Sequence, residues 1–286
     1  MNVATTIERL LAFGDENGLR SVLDARPTLE LLAEEFRDHD VQEVGPRELE
    51  RVFVEAGFDA AAAHSWFDAK RSAWSAAYGS DRGYQHKWGA HTPCDVLERW
   101  YADQPRPPAR ALDLGCGDGV NAVFMASKGT AVDAVDLSPA AIETVGRNAA
   151  AAGVTVHGMV GSVHDLPSDA GPYDLVFDRG CFHHVPIVFW HLYIEQIERM
   201  LAPGGTLLLM CHTPKVFPDR YVTLAYGHLG RVVQFFCDGK AESSFSPSDL
   251  RAIFGDRFEI VEQRRAPDHE GKPFEFNVCL MRSPQP

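Results

Sequence analysis

The stretch Arg110 to Val120, R-A-L-D-L-G-C-G-D-G-V, constrains this chain more than any other. A short apolar run enclosing Asp113 breaks into glycines at alternate positions, Gly115, Gly117 and Gly119, and an apolar segment with helical character follows to Lys128. The pattern predicts a buried strand, a tight loop and a helix N-terminus. Glycine suits such a loop because the backbone must adopt unusual φ angles and approach a ligand closely, and a Cβ would obstruct both.

Asp136 adds a second, independent feature. It ends the next apolar run, Thr130 to Val135, 21 positions beyond Gly115. In a β-α-β unit an acid at about that distance lies at the tip of the second strand, where it can accept both hydroxyls of a ribose. The loop differs from the dinucleotide fingerprint, because Val120 stands where the third glycine of G-x-G-x-x-G belongs. A G-x-x-x-x-G-K-[ST] triphosphate signature is also missing.

The chain alternates strand and helix signals from Leu112 onward, as a parallel sheet requires. Strands are expected at 111–114, 131–136, 154–158, 173–178, 205–211, 258–264 and 274–281. Ser138-Pro139 should open a helix over 140–152 as N-cap and N1. The fold class is therefore α/β: a Rossmann-like, doubly wound, seven-stranded sheet, mostly parallel with an antiparallel last strand. Right-handed crossovers bring the loops after the first, second and fourth strands to one edge, which is where a ligand belongs. Residues 213–245 lack clear periodicity and read as an insertion near that edge.

Two domains are expected: residues 1–93 as a helical cap with a lid segment, and 94–286 as the ligand-binding domain. From Thr6 to Tyr78 apolar residues recur at helical spacing, as in Ile7, Leu10, Leu11 and Leu29, Leu32, Phe36. Residues 79–93 mix glycines with Tyr84, His86, Lys87, Trp88 and His91. That composition suits a segment covering a ligand, so Tyr84, His86 and Trp88 are candidate substrate contacts; an ordinary linker with an anchored Trp is the other reading.

The net charge of -13 argues against nucleic acid or an anionic membrane as partner. Residues 1–60 hold 14 Asp and Glu against 6 Arg, which a solvated helical surface explains. No window approaches 18 consecutive apolar residues, and charges at Glu8, Arg9, Asp15 and Glu16 interrupt any N-terminal signal. Six scattered cysteines without a C-x-x-C pair suit reduced thiols. A cytoplasmic protein is expected, with a small-molecule partner and an oligomeric state left open.

From Leu112 to the C-terminus the chain resembles the class I S-adenosylmethionine (SAM)-dependent methyltransferases, most closely the thiopurine- and tellurite-type small-molecule enzymes. L-D-L-G-C-G-D-G carries the resemblance first, and V-D-L-S-P (135–139), G-S-V-H-D-L-P (161–167), Y-D-L-V-F-D-R-G-C-F-H-H-V-P (173–186) and L-A-P-G-G-T-L-L-L (201–209) follow in the family order. The resemblance implies SAM as cofactor. Gly115 and Gly117 would admit it, Asp113 and Asp178 would lie near its ammonium group, and Asp136 would take the ribose. Cys116, Leu137, Ser162, Val163 and Arg179 complete the implied set. Ser162 stands where the family commonly has an acid, so the adenine amino group falls to its hydroxyl, to the Val163 backbone or to Asp165. Asp113 has a plainer reading as a strand-end turn acid.

Methyl transfer from a sulfonium needs in-line positioning, and a base only where the nucleophile carries a proton. His183 and His184, just past the fourth strand, are candidate catalytic residues together with Asp178; structural packing is the alternative for the histidines. His212 after the fifth strand could line the same pocket. Cys181, His183 and His184 lack further ligands at metal-binding spacing, so no metal is expected. Two other functions remain open at this level: cyclisation or cleavage of SAM with release of methylthioadenosine, and non-catalytic SAM binding.

Overall fold

The computed structural model describes residues 60–79, 92–164, 166–167, 169–186, 189–213, 222–224, 232–237, 240–267 and 275–284. In chain order the elements are α1 (Ala60–Gly79), α2 (Asp95–Asp103), β1 (Arg110–Leu114), α3 (Val120–Ser127), β2 (Ala131–Asp136), α4 (Pro139–Ala152) and β3 (His157–Val160). They continue as β4 (Tyr173–Arg179), a 3-10 turn (Phe182–His184), α5 (Trp190–Met200), β5 (Leu201–His212), β6 (Val222–Leu224), β7 (Val232–Cys237), β8 (Lys240–Ser244), α6 (Pro247–Phe254), β9 (Glu259–Pro267) and β10 (Glu275–Arg282).

Seven strands form one sheet in the order β3-β2-β1-β4-β5-β10-β9. The β1, β2, β3, β4 and β5 pairings are parallel, whereas β10 runs antiparallel to both β5 and β9. The doubly wound sheet and its antiparallel last strand match the expected class. Order reverses beside β1, which leads outward to β2 on one side and to β4 on the other. Such a switch point opens a crevice at the carboxyl ends of the strands.

Alternating side chains of the central strands feed two cores. Ala111, Leu175, Phe177, Leu208 and Met210 face α2, α3 and α4, where Leu97, Met125 and Val145 bury. Leu112, Leu114, Val176, Leu207 and Leu209 face α5 and α6, where Trp190, Tyr193, Ile197, Leu250 and Phe254 bury. Both faces of β1 and β4 are thus dry, which is why those strands read as unbroken apolar runs.

Two sequence expectations need correction. β3 begins at His157 rather than Val154, because Gly153 ends α4 in the left-handed region (φ 68) and the Val154 N–H closes that cap on the Ala149 carbonyl, 3.0 Å. The 213–245 insertion contains a small antiparallel sheet, β6-β7-β8. Its sequence signal was present: Asp238-Gly239 separates Cys237 from Lys240, which pair across β7 and β8. In the N-terminal segment only α1 and the residues just before α2 lie within the description. Tyr84, His86 and Trp88, like Asp165, fall outside it.

Candidate cofactor and acceptor site

The glycine loop runs from the end of β1 into α3. Gly115, Gly117 and Gly119 all hold positive φ, at 64, 58 and 76. At two of them space is as restrictive as the dihedral. A Cβ on Gly115 would come 2.7 Å from Cβ of Cys181, and one on Gly119 would come 2.7 Å from Cγ2 of Val145. Only glycine therefore lets the loop slot between the turn after β4 and helix α4.

Asp136 fastens this loop. Its Oδ2 accepts from the Gly117 N–H (3.0 Å) and its Oδ1 from the Ser138 N–H (2.8 Å). A carboxylate offers about four lone-pair sites, so acceptor capacity for two hydroxyls remains. Burial pushes its pKa up to about 6 against the pull of those donors. Leu137, half-buried, follows it at the strand tip.

Asp113 lies in the middle of the crevice, on β1. It is buried, and its Oδ2 has no hydrogen-bond partner. Burial, then the charges of Asp178 and Asp118, push its pKa up to about 8, with Arg179 pulling in the opposite direction. Asp113 and Arg179 line one recess together with Gly115, Cys116, Asp118, Val120 and Asn121. The sequence reading missed Asp118, Val120 and Asn121; their place where the loop becomes a helix, the end that favours an anionic ligand group, is the signal that could have found them.

Asp178 differs from its expected role near the cofactor ammonium. It is fully buried, and its oxygens accept from the N–H groups of Cys181 (2.8 Å) and Phe182 (3.0 Å) and from the Tyr193 hydroxyl (2.6 Å). Its pKa is pushed up to about 7 by burial, opposed by these donors. The carboxyl is committed to shaping the turn after β4, and that turn carries the histidines.

His183 is buried, and its ring stacks on His212 at 3.8 Å between centroids and 18° between planes. His184 meets His183 edge-on at 4.4 Å and Trp74 of α1 at 5.0 Å. The structure therefore brings together the three expected imidazoles, at the ends of the adjacent strands β4 and β5. On the far side Ser162 hydrogen-bonds the His164 ring, which stacks on Phe67 of α1 at 4.6 Å. Val163 is buried in the core. The thiols of Cys116 and Cys181 are held well above their ordinary pKa by burial first and by nearby carboxylates second, which keeps them neutral. Among the described residues no three His, Cys, Asp or Glu gather as a metal site.

Residues 111–205 match the family model described as a methyltransferase domain. The segment that carries the glycine loop is thus similar to methyltransferase domains. Among curated relatives, the ubiquinone biosynthesis O-methyltransferase of Xanthomonas campestris pv. campestris (strain B100) is 36% identical over 123 residues, covering 42% of this chain and 51% of that protein. The 2-heptyl-1-hydroxyquinolin-4(1H)-one methyltransferase of Mycobacteroides abscessus is 27% identical over 131 residues, covering 42% and 58%. The chain thus spans about half the length of the curated relatives it matches. Among solved structures, the 1,6-didemethyltoxoflavin-N1-methyltransferase of Burkholderia thailandensis, with bound S-adenosylhomocysteine, superposes with a TM-score of 0.62 at 20% identity, covering 78% of this chain and 90% of that one. The matched residues hold the glycine loop, Asp136 and the turn after β4; α1 and the β6-β7-β8 sheet lie outside them.

Proposed function

We propose that the chain is a SAM-dependent methyltransferase acting on a small acceptor with an oxygen, sulfur or nitrogen nucleophile, in the cytoplasm. One observation carries the reading: the unsatisfied carboxyl oxygen of Asp113 shares a recess with Arg179, next to the glycine loop and the strand-tip acid Asp136. An ammonium and a carboxylate on one carbon need that pair of opposite charges, and a ribose needs Asp136. No helix among the described residues is long and apolar enough to cross a membrane. Cys94, Cys116, Cys181, Cys211 and Cys279 are free thiols, which supports a reducing compartment.

SAM supplies an activated methyl group. This chain's residues position it: Asp113 and Arg179 hold the amino-acid end, Asp136 the sugar, and Ser162 with the Val163 backbone the base. Asp178 sets the course of the 182–184 turn and so acts as a positioning residue. His184, half-buried beside His183 and His212, faces the acceptor side and accepts a proton from a hydroxyl or thiol nucleophile. The named relatives are transferases, and nothing in the site favours SAM cyclisation, SAM cleavage or non-catalytic binding over transfer.

The test is calorimetry with SAM and S-adenosylhomocysteine, followed by assay of S-adenosylhomocysteine formation with phenols, thiols and amines. Binding of both ligands, lost in Asp136→Ala, is the expected result. No heat with either ligand, or an unaffected Asp136→Ala variant, would overturn the reading.

A further inference from the structure

The recess at the end of β1 sets two acids, Asp113 and Asp118, beside one cation, Arg179, with Asn121 among the other lining residues. An anionic ligand group entering there needs donors that outweigh the acids. The glycine loop has already given away much of its own supply. The Cys116 N–H donates to the Val135 carbonyl (3.0 Å), the Gly117 N–H to Asp136 (3.0 Å), the Gly119 N–H to the Cys116 carbonyl (2.9 Å) and the Val120 N–H to Asp118 (3.3 Å). A carboxylate in the recess must therefore draw on side chains as well.

Asn121, in the first turn of α3, is the amide of this lining. It is only 6% exposed, and its Oδ1 accepts from the Cys94 N–H at 3.0 Å. A backbone N–H can be met only by the amide oxygen, so this bond decides which way the side chain is turned and leaves Nδ2, with two protons, on the other side. Among the described residues Nδ2 has no acceptor, and Asn121 lines the recess. A nearly buried amide with unspent donors favours a ligand atom that accepts from it. Cys94 is itself the N-cap of α2, its Sγ accepting from the Leu97 N–H at 3.4 Å. The amide is thus aimed from a support that lies outside the matched residues 111–205.

We infer that Asn121 reads the carboxylate at the amino-acid end of the cofactor, donating through Nδ2 alongside Arg179, and that it restricts the site to donors that keep this group. This deepens the methyl-transfer reading above and rests on it. With Asp113 answering the ammonium, the two charged groups on the cofactor's α-carbon are told apart by different side chains. A sulfonium without the carboxylate carries the same methyl group, so the contact selects the donor molecule and not the chemistry. Only the Asn121 and Arg179 donors lose a partner when that carboxylate is removed, whereas the ammonium, sugar and base keep theirs.

The full chain is titrated by calorimetry, directly or in competition, with S-adenosylhomocysteine and with its decarboxylated analogue, which keeps the ammonium group. The native protein should bind S-adenosylhomocysteine at least about tenfold more tightly, as loss of a charge-assisted bond requires. Asn121→Asp keeps an oxygen for the Cys94 N–H but puts an acid where the donor was. It should weaken S-adenosylhomocysteine by about tenfold or more and leave the analogue bound as tightly or more tightly. Asn121→Ala should weaken S-adenosylhomocysteine at least about threefold while the analogue stays within about twofold of native. Equal native affinity for the two ligands, or variants that lose both ligands alike or lose neither, would overturn the inference. Native protein that binds neither ligand removes the methyl-transfer reading instead.

Discussion

In the free protein Asp113 is mostly protonated at neutral pH, since burial and two carboxylate neighbours bring its pKa up to about 8. A bound ammonium would reverse that balance, so binding of S-adenosylhomocysteine near pH 7 should release a proton. Titrations in buffers of different ionisation enthalpy read this directly, and Asp113→Asn should abolish the release. Loss of a charge-assisted contact, about 1.5–3 kcal/mol, should also weaken binding at least about tenfold. The same group bears on stability. Its pKa rises on folding from an ordinary 3.8, so its contribution is fully present below pH 3.8, declines as pH climbs, and is gone above about 8. Asp113→Asn should therefore melt higher than the parent at pH 8.5 and show a flatter dependence between pH 5 and 8.5. Asp136 and Asp178 act in the same direction, with upper limits near 6 and 7.

At the level of elements, the β1-loop-α3 unit depends on glycine for reasons that two alanine substitutions separate. Gly115→Ala forces a Cβ against Cys181 at φ +64, so overpacking of about 1–3 kcal/mol should add to backbone strain of similar size. Gly146, inside α4, has nothing within 4 Å of an added Cβ, and Gly146→Ala should stabilise by about 0.5–1 kcal/mol. Urea denaturation of both variants checks the contrast. This unit was legible from sequence because its constraints are local: apolar runs for strands dry on both faces, glycine for positive φ, and Ser138-Pro139 for a helix start that the structure reproduces with Ser138 accepting from the Ala141 N–H. The misreadings have equally local causes. Val154 looks like strand but completes a helix cap, and the short strands of β6-β7-β8 give too few residues for an alternation to stand out. Asp178 was legible as a site acid but not as one consumed by its own turn, because its partners Cys181, Phe182 and Tyr193 reveal themselves only once the chain is folded.

Across the whole molecule, long-range contacts join pieces the sequence keeps apart. Asn277 on β10 donates through Nδ2 to the carbonyls of Phe245 (2.6 Å) and His212 (3.2 Å), tying the last strand to the end of β5 and to the segment leaving β8. Asn277→Ala should cost about 2 kcal/mol by urea denaturation, from two net hydrogen bonds of about 1 kcal/mol each. Phe182 meanwhile stacks on Phe245 at 5.2 Å, so the turn carrying the histidines leans on the far side of the insertion. The imidazole-bearing edge is thus bordered by α1, which comes before the matched domain, and by residues that come after it. A chain built this way can exchange either border by splicing at two junctions and leave the donor-holding middle intact. Relatives with unlike appetites could then arise from recombination of flanks as readily as from point changes within the shared centre.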